Sequence, residues 1–437
     1  MAVEDPATQL APWVAVPFPG SLRKGLLLSR WSDTTHAYVL IATSFVMDLL
    51  TRNAAQATQY AGIAFGATAA ELGLIAATAT FCYSLTSLVS GRLSDRIGRR
   101  RGAVLACAVL IAAHAALMSA GTKWQLAVLA SVAGTGSALF WPGMQAWMAE
   151  LGGKTKFQLN RLLGTFNVTW AAGLVVGPVV AGQVWLLGQA TGHSQEWCYA
   201  VSVLCGVVVL GMVLAVRTCP PSGCAETADT EVEPRHPQAT TYLHMSWAAN
   251  FASWFAGGVV AGLFPKLGHE LGYDQGLIGL LAAAVHVGQV TMFAIILSTT
   301  RWQFRRWPLF GALGLGIAGA GCSAAAPHPG LFALGFLLLG LCAGTTYVGS
   351  LFYALQGGGG QRGSRTGLHE AVLGSGVFFG PLLGGALATA TRDLLGPVPS
   401  LRAPYVAAAL VFVGSGVAQL VIWRRREGRP VQTPLSA

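Results

Sequence analysis

Gly91–Gly102 reads G-R-L-S-D-R-I-G-R-R-R-G, a basic segment set between two long apolar runs. Arg92, Arg96, Arg99, Arg100 and Arg101 share it with one acid, Asp95. It is too short to be a domain. A basic hairpin between hydrophobic spans marks a cytoplasmic loop of a membrane protein. Its glycines let two helices turn tightly and approach closely.

Composition points the same way. The chain has 437 residues, 53% hydrophobic and 10% charged, where a soluble domain carries about 25% charged residues. Such a chain cannot cover a soluble surface, so a polytopic membrane protein is expected. Its 56 glycines suit close packing of transmembrane helices. The net charge of +10 does not indicate nucleic-acid binding, because the arginines sit in short loops rather than on one amphipathic face. Most of the eight cysteines fall in apolar runs and read as small buried hydrophobes. Cys219 and Cys224 have no histidine cluster nearby, so no metal is expected. Met1–Ser32 lacks the pattern of a signal peptide, and Arg23, Lys24 and Arg30 place it on the cytoplasmic side.

A span needs about 20 apolar residues. Twelve are predicted: His36–Ile63, Leu72–Gly91, Gly102–Gly121, Trp124–Leu151, Leu162–Leu187 and Trp197–Val216, then Tyr242–Pro265, Leu277–Thr299, Trp307–Ala325, Leu331–Gln356, Gly367–Ala390 and Pro404–Trp423. The chain divides into an N-terminal segment (1–34), a six-helix bundle (35–217), a linker (218–241), a second six-helix bundle (242–423) and a basic tail (424–437). With both termini cytoplasmic, 22 of the 27 lysines and arginines fall on the inner side, as the positive-inside rule requires. The halves repeat: Gly173–Gly182 (G-L-V-V-G-P-V-V-A-G) recurs 203 positions later as Gly376–Gly385 (G-V-F-F-G-P-L-L-G-G). The fold class is therefore an all-α polytopic membrane protein of two six-helix repeats.

The Gly91–Gly102 stretch resembles the signature between the second and third helices of the major facilitator superfamily. That pattern is Gly, two variable positions, a small residue, Asp-Arg, one variable position, Gly-Arg and further basic residues. Gly91, Asp95, Arg96, Gly98, Arg99 and Arg100 match it. The resemblance covers about Thr35–Trp423. It implies alternating access, with Asp95 and Arg99 in an inner charge network that holds one state closed. Gly177–Pro178 and Gly380–Pro381 fall in the repeated motif. The first copy resembles the fifth-helix motif of superfamily antiporters. The second copy weakens it as a mark of export and suggests a rocking interface instead. Many proton-coupled drug exporters of this superfamily carry an arginine in the fourth helix. Trp124–Glu150 has none.

Ionisable groups within spans are costly and point to function. Asp48 and Arg52 are four apart on the first span and share a face. They read either as a self-neutralising pair or as a site, with Asp48 taking a proton or cation and Arg52 an anionic substrate. His286 and Gln289 on the eighth span, Asn250 and Trp254 on the seventh, and Trp141, Gln145, Tyr347 and Tyr353 on the fourth and tenth are further pocket residues. An aromatic-rich pocket with few charges suits a sugar or an amphipathic organic molecule. His369 and Glu370 open the eleventh span, and Asn167 is their equivalent in the fifth. They read as gate contacts or as a proton path. Glu150 reads as a salt-bridge partner for Arg96 or Arg99.

No G-x-x-x-x-G-K-[ST] loop is present, so ATP-driven transport is not expected. No cofactor and no catalytic constellation is expected either. Three functions stay open at this point. They are secondary transport of a small organic solute, with proton-coupled export one form of it, uptake of a sugar or organic acid, and a non-transporting sensor or partner subunit on the same scaffold. The expected partners are a small-molecule substrate, the lipid bilayer and protons as coupling ion, with the chain a monomer in the cell membrane.

Overall fold

A computed structural model describes residues 33–152, 156–216, 238–355 and 362–427. The N-terminal segment, Cys219 and Cys224, most of the linker, Gly357–Gly360 and the end of the tail lie outside the described residues. So does the side chain of Glu150.

The described residues form α1 (Asp33–Ala64), α2 (Ala69–Ile97), α3 (Arg99–Met118), α4 (Lys123–Gly152), α5 (Lys156–Gln189), α6 (Ser194–Ala215), α7 (Ala239–Glu270), α8 (Gln275–Leu297), α9 (Trp307–Ala325), α10 (Pro329–Leu355), α11 (Arg362–Ala390), α12 (Arg392–Leu395) and α13 (Pro397–Glu427). Twelve are long; α12 is a four-residue turn ahead of α13. Eleven are long and apolar enough to cross a membrane. The exception is α1, whose 32 residues rise about 48 Å. It is polar because Asp48, Asn53, Gln56, Thr58 and Gln59 are all buried in the protein. Asn53 donates to the Cys198 carbonyl (2.7 Å) and to the Ser202 hydroxyl (2.8 Å) of α6. The Thr58 and Tyr199 hydroxyls are 2.9 Å apart.

The signature stretch differs from its expected form. α2 runs on through Gly91, Asp95 and Arg96 to Ile97, and α3 begins at Arg99. The turn is Gly98 alone, at φ 91°, a conformation that favours glycine. Asp95 and Arg99 pair across it. Arg99 also donates to the Ser94 hydroxyl at 3.3 Å. Arg100 donates to the Leu214 carbonyl near the end of α6 at 2.6 Å, occupying one of that helix's unpaired carbonyls.

Short turns make consecutive helices alternate in direction. The Gly98 turn, the start of α1 and the end of α13 therefore lie at one end of the bundle, the termini end. The turns at 65–68, 119–122, 190–193, 271–274 and 326–328 lie at the far end. Two of the helix starts there are capped as follows. Thr68 and Glu71 form a reciprocal capping box on α2, and Asp274 accepts from Leu277 N–H at 2.7 Å on α8. Each half is also bracketed at the far end. Gln195 of α6 donates to the Leu117 and Ala120 carbonyls after α3 (2.8 Å each). Arg402 of α13 does the same for α9 through the Ala324 and Ala326 carbonyls (2.9 and 2.6 Å).

Candidate functional site

The repeated glycine-proline motif brings the two halves together. In α5, a side chain at Gly173 or Gly177 would strike the backbone of α1, beside Asp48 and Arg52 respectively. In α11, Gly376 and Gly380 lie as tightly on α7, against Phe251, Trp254 and Phe255. These four glycines fasten each half to itself. The rest of the motif faces the other half. The Pro178 carbonyl lies where a Gly279 side chain would go on α8, and Gly182 abuts Gln275 and Gly276. In the second copy the Pro381 carbonyl fills the same place against Gly73 of α2, and Gly385 abuts Ala69 and Ala70. Proline inside a helix favours a bend and frees the carbonyl four residues earlier rather than its own, and the glycines of the opposing helix let the two backbones come this close. Ala70 N–H donates to Thr389 Oγ1 (3.0 Å) and Tyr60 OH to the Gln275 carbonyl (2.9 Å). The far end is thus sealed by two equivalent helix pairs, α5 with α8 and α2 with α11.

Beneath this seal lies a cavity with about 750 Å³ of empty space, its open mouth included. Arg52 and Gln56 of α1, Pro178 of α5, Ser253 and Trp254 of α7, and His286 and Gln289 of α8 line it with small aliphatic residues. His286 Nδ1 and Gln289 Oε1 are 3.3 Å apart. Arg52 has no carboxylate within 4 Å among the described residues, so it makes no contact ion pair with Asp48, although the two charges act on each other over a longer gap. Asp48 accepts a long hydrogen bond from Thr51 (3.4 Å). The two side chains leave α1 against different glycines of α5, and Arg52 reaches the cavity.

On the termini side of the cavity the halves meet again through rings. Trp170 of α5 lies edge-on to Phe293 of α8 and Tyr347 of α10, both centroids at 5.7 Å. Phe293 and Tyr347 are 5.6 Å apart, and Trp254 approaches Tyr347 at 6.2 Å. Both tryptophans are fixed by an asparagine on their own helix, Trp170 by Asn167 and Trp254 by Asn250, each N–H donating at 3.1 Å. His369 closes the layer from α11, its Nδ1 2.7 Å from the Ser350 hydroxyl and its ring 5.1 Å from Tyr347. Glu370, next to it, is exposed.

Of the residues singled out from sequence, Arg52, Trp254, His286, Gln289 and Pro178 line the cavity, and Asn250, Asn167, Tyr347 and His369 build the ring layer. Trp141 packs instead on Phe140 and Phe166 within the N-terminal half, and Gln145 is exposed. Tyr353 is 1% exposed in an aromatic cluster at the termini end, where its hydroxyl accepts from Phe304 N–H (3.0 Å). That cluster stiffens the turn before α9, whose Phe304 has φ 52°. Trp170, Phe293, Gln56 and the seal glycines Gly73 and Gly279 escaped the sequence reading. For Trp170 a signal existed, since it stands three residues after Asn167.

The family described as Major Facilitator Superfamily matches residues 39–244 and 246–437. A gentisate transporter of Corynebacterium glutamicum is 24% identical over 342 residues, covering 74% of this chain and 73% of that protein. An uncharacterized MFS-type transporter of Bacillus subtilis, YhjO, is 24% identical over 40% of this chain and 38% of its own length. Among solved structures, a bacterial homolog of the human lysosomal transporter Spinster, inward-facing and unoccupied, superposes with a TM-score of 0.68 at 15% identity, over 90% of this chain and 98% of that one. The nucleoside transporter NupG superposes with a TM-score of 0.69 at 9% identity, over 89% and 99%. At these identities the structures speak for the fold alone. Two six-helix repeats, the Asp95–Arg99 turn, a cavity between the halves and a family match over nearly the whole chain lead to one conclusion: this chain belongs to the Major Facilitator Superfamily and is a multi-pass membrane transporter of a small solute.

Proposed function

We propose that the solute is a small organic anion, an aromatic carboxylate in the first instance, and that Arg52 holds its carboxylate. One observation carries this reading: the Arg52 guanidinium lines the cavity and has no carboxylate within 4 Å among the described residues. A guanidinium with no carboxylate in contact with it is costly at membrane depth. A carboxylate supplies that contact in a geometry arginine matches with two parallel hydrogen bonds. The relative from C. glutamicum supports the class, because gentisate is a dihydroxybenzoate anion.

Transport follows by alternating access. With the far seal closed, the anion exchanges through the ring layer and the termini end. Rocking the halves parts Pro178 from Gly279 and Pro381 from Gly73, and the Asp95–Arg99 turn with its neighbours then closes the other end. Asp48 and Glu370 are carboxylates without a cation within 4 Å among the described residues, and these are the groups we assign to a coupling proton. With the termini cytoplasmic, an anion entering with a proton is uptake.

The test is counterflow of labelled gentisate and benzoate in proteoliposomes. Arg52→Gln is expected to lower exchange of both acids by about 100-fold, in line with the ~2–5 kcal/mol cost of breaking a buried charge pair. Arg52→Lys should fall between. Asp48→Asn should keep exchange without a gradient yet lose accumulation driven by a pH gradient. Full exchange in Arg52→Gln would remove the anion reading. Undiminished pH-driven accumulation in both Asp48→Asn and Glu370→Gln would remove the proton assignment.

A further inference from the structure

We propose that His286 and Gln289 together read a hydroxyl group on the substrate, and so select hydroxylated acids over the bare carboxylate. The inference rests on the anion reading above. His286 and Gln289 lie three apart on α8 and hydrogen-bond to one another, Nδ1 to Oε1 at 3.3 Å. Both line the cavity that Arg52 lines. Gln289 is 1% exposed, and its other amide atom, Nε2, has no partner. A buried amide left without a partner loses its hydration for nothing in return, so an occupant that supplies one is favoured.

The chemistry of the pair sets what that occupant offers. A neutral imidazole has one N–H and one bare nitrogen, and an amide has one donor and one acceptor end. If Nδ1–H donates to Oε1, imidazole Nε2 remains an acceptor and amide Nε2 a donor. If the amide is turned round and donates to Nδ1, imidazole Nε2–H remains a donor and Oε1 an acceptor. Either way the pair presents one donor and one acceptor. A hydroxyl is the small group that satisfies both at once, because it donates and accepts. A carboxylate only accepts, so it belongs at Arg52.

The position of the two sites makes the reading consequential. Arg52 belongs to the N-terminal half, and His286 and Gln289 to the C-terminal half. The rest of the lining is mostly small and apolar, with Ala282, Val285, Ala343 and Val377 among it, and Gln56 and Ser253 are its other polar side chains. A rigid acid with its hydroxyl away from its carboxylate would bridge the halves across that lining. A bare benzoate would engage one half and leave the pair on the other unsatisfied. Discrimination between them should be about tenfold, the scale of one buried hydrogen bond lost with its partner left behind.

The experiment is competition against gentisate counterflow in proteoliposomes by benzoate, its three monohydroxy isomers and gentisate itself. In the wild-type protein at least one hydroxylated acid should compete about tenfold better than benzoate. Gln289→Leu and His286→Phe should bring that ratio to about one, and His286→Asn, which keeps a donor and an acceptor, should restore part of it. A wild-type ratio near one for every isomer overturns the inference and leaves the anion reading standing. So does a ratio that survives in both Gln289→Leu and His286→Phe. If Arg52→Gln exchanges all the acids as the wild type does, the anion reading fails instead. If the wild type exchanges none of them, both fall.

Discussion

The two halves touch on both sides of the cavity, and the contacts are made of different material. At the far end they meet backbone to backbone, with the Pro178 and Pro381 carbonyls set into Gly279 and Gly73. On the termini side they meet through the rings of Trp170, Phe293 and Tyr347. A glycine seal has no side chain to swing, so it opens only when whole helices part. A ring layer can open by rotation about side-chain bonds, more slowly for packed rings than for exposed ones but without whole helices moving. The far gate therefore reports the rocking motion, whereas the near gate can pass a solute with the halves nearly still.

The double variant Gly73→Val, Gly279→Val breaks the far gate in both copies and should have the largest effect. Each added side chain meets a carbonyl that belongs to a helix, and overpacking costs roughly 1–3 kcal/mol per site. Together these should shift the balance between states by two orders of magnitude or more. Spin labels at His193 and His328, in far-end turns of opposite halves, should move apart, and net transport should collapse. An unchanged label distance would mean that the seal yields locally and is no reporter of rocking.

Trp170→Ala tests the near gate. It removes two edge-to-face contacts, worth roughly 0.5–1.5 kcal/mol each beyond burial, so solute exchange without a gradient should quicken by about tenfold. The label distance at the far end should not change. A change there would show that the two gates are one device.

The smallest effect is expected from Thr389→Val, which leaves the Ala70 N–H without its acceptor at the edge of the far seal. This bond is exposed, so about a twofold change in transport is expected, within the range for one such bond. Its counterpart at the other pair, Gln189→Leu, removes the 3.2 Å contact with Gln275 and should act alike. Unequal effects would mean that the two helix pairs do not share the load.

The motif that builds the far gate was legible because it is written twice. Residues 173, 177, 178 and 182 recur as 376, 380, 381 and 385, so an interface repeated in both halves followed from sequence. Their partners did not. Gly73 and Gly279 are single glycines in apolar helices rich in glycine, and nothing local marks the one that meets a proline carbonyl. The i, i+4 spacing of Asp48 and Arg52 put both on one face, which was right. It did not give the directions of the side chains, which the glycines of α5 decide. The dense charges of the signature stretch suggest a loop, yet helix hydrogen bonding continues through charged residues until Gly98 breaks it. The ring layer was half visible: Tyr347 and Trp254 stood out as polar-edged aromatics within spans, whereas Phe293 looks like any lipid-facing residue until the fold buries it completely.

The brackets at the far end carry one more consequence. Gln195 ties α6 to the end of α3, and Arg402 ties α13 to the end of α9, so each half is clasped by residues of its own. Among the described residues no such double clasp of a helix end crosses from one half to the other, where the bonds at this end are single ones such as Tyr60 to the Gln275 carbonyl. The two halves are joined in sequence through residues 217–237. Two separately translated half-proteins, divided within that stretch and produced in the same membrane, should find one another through the glycine-proline surfaces and transport as the single chain does.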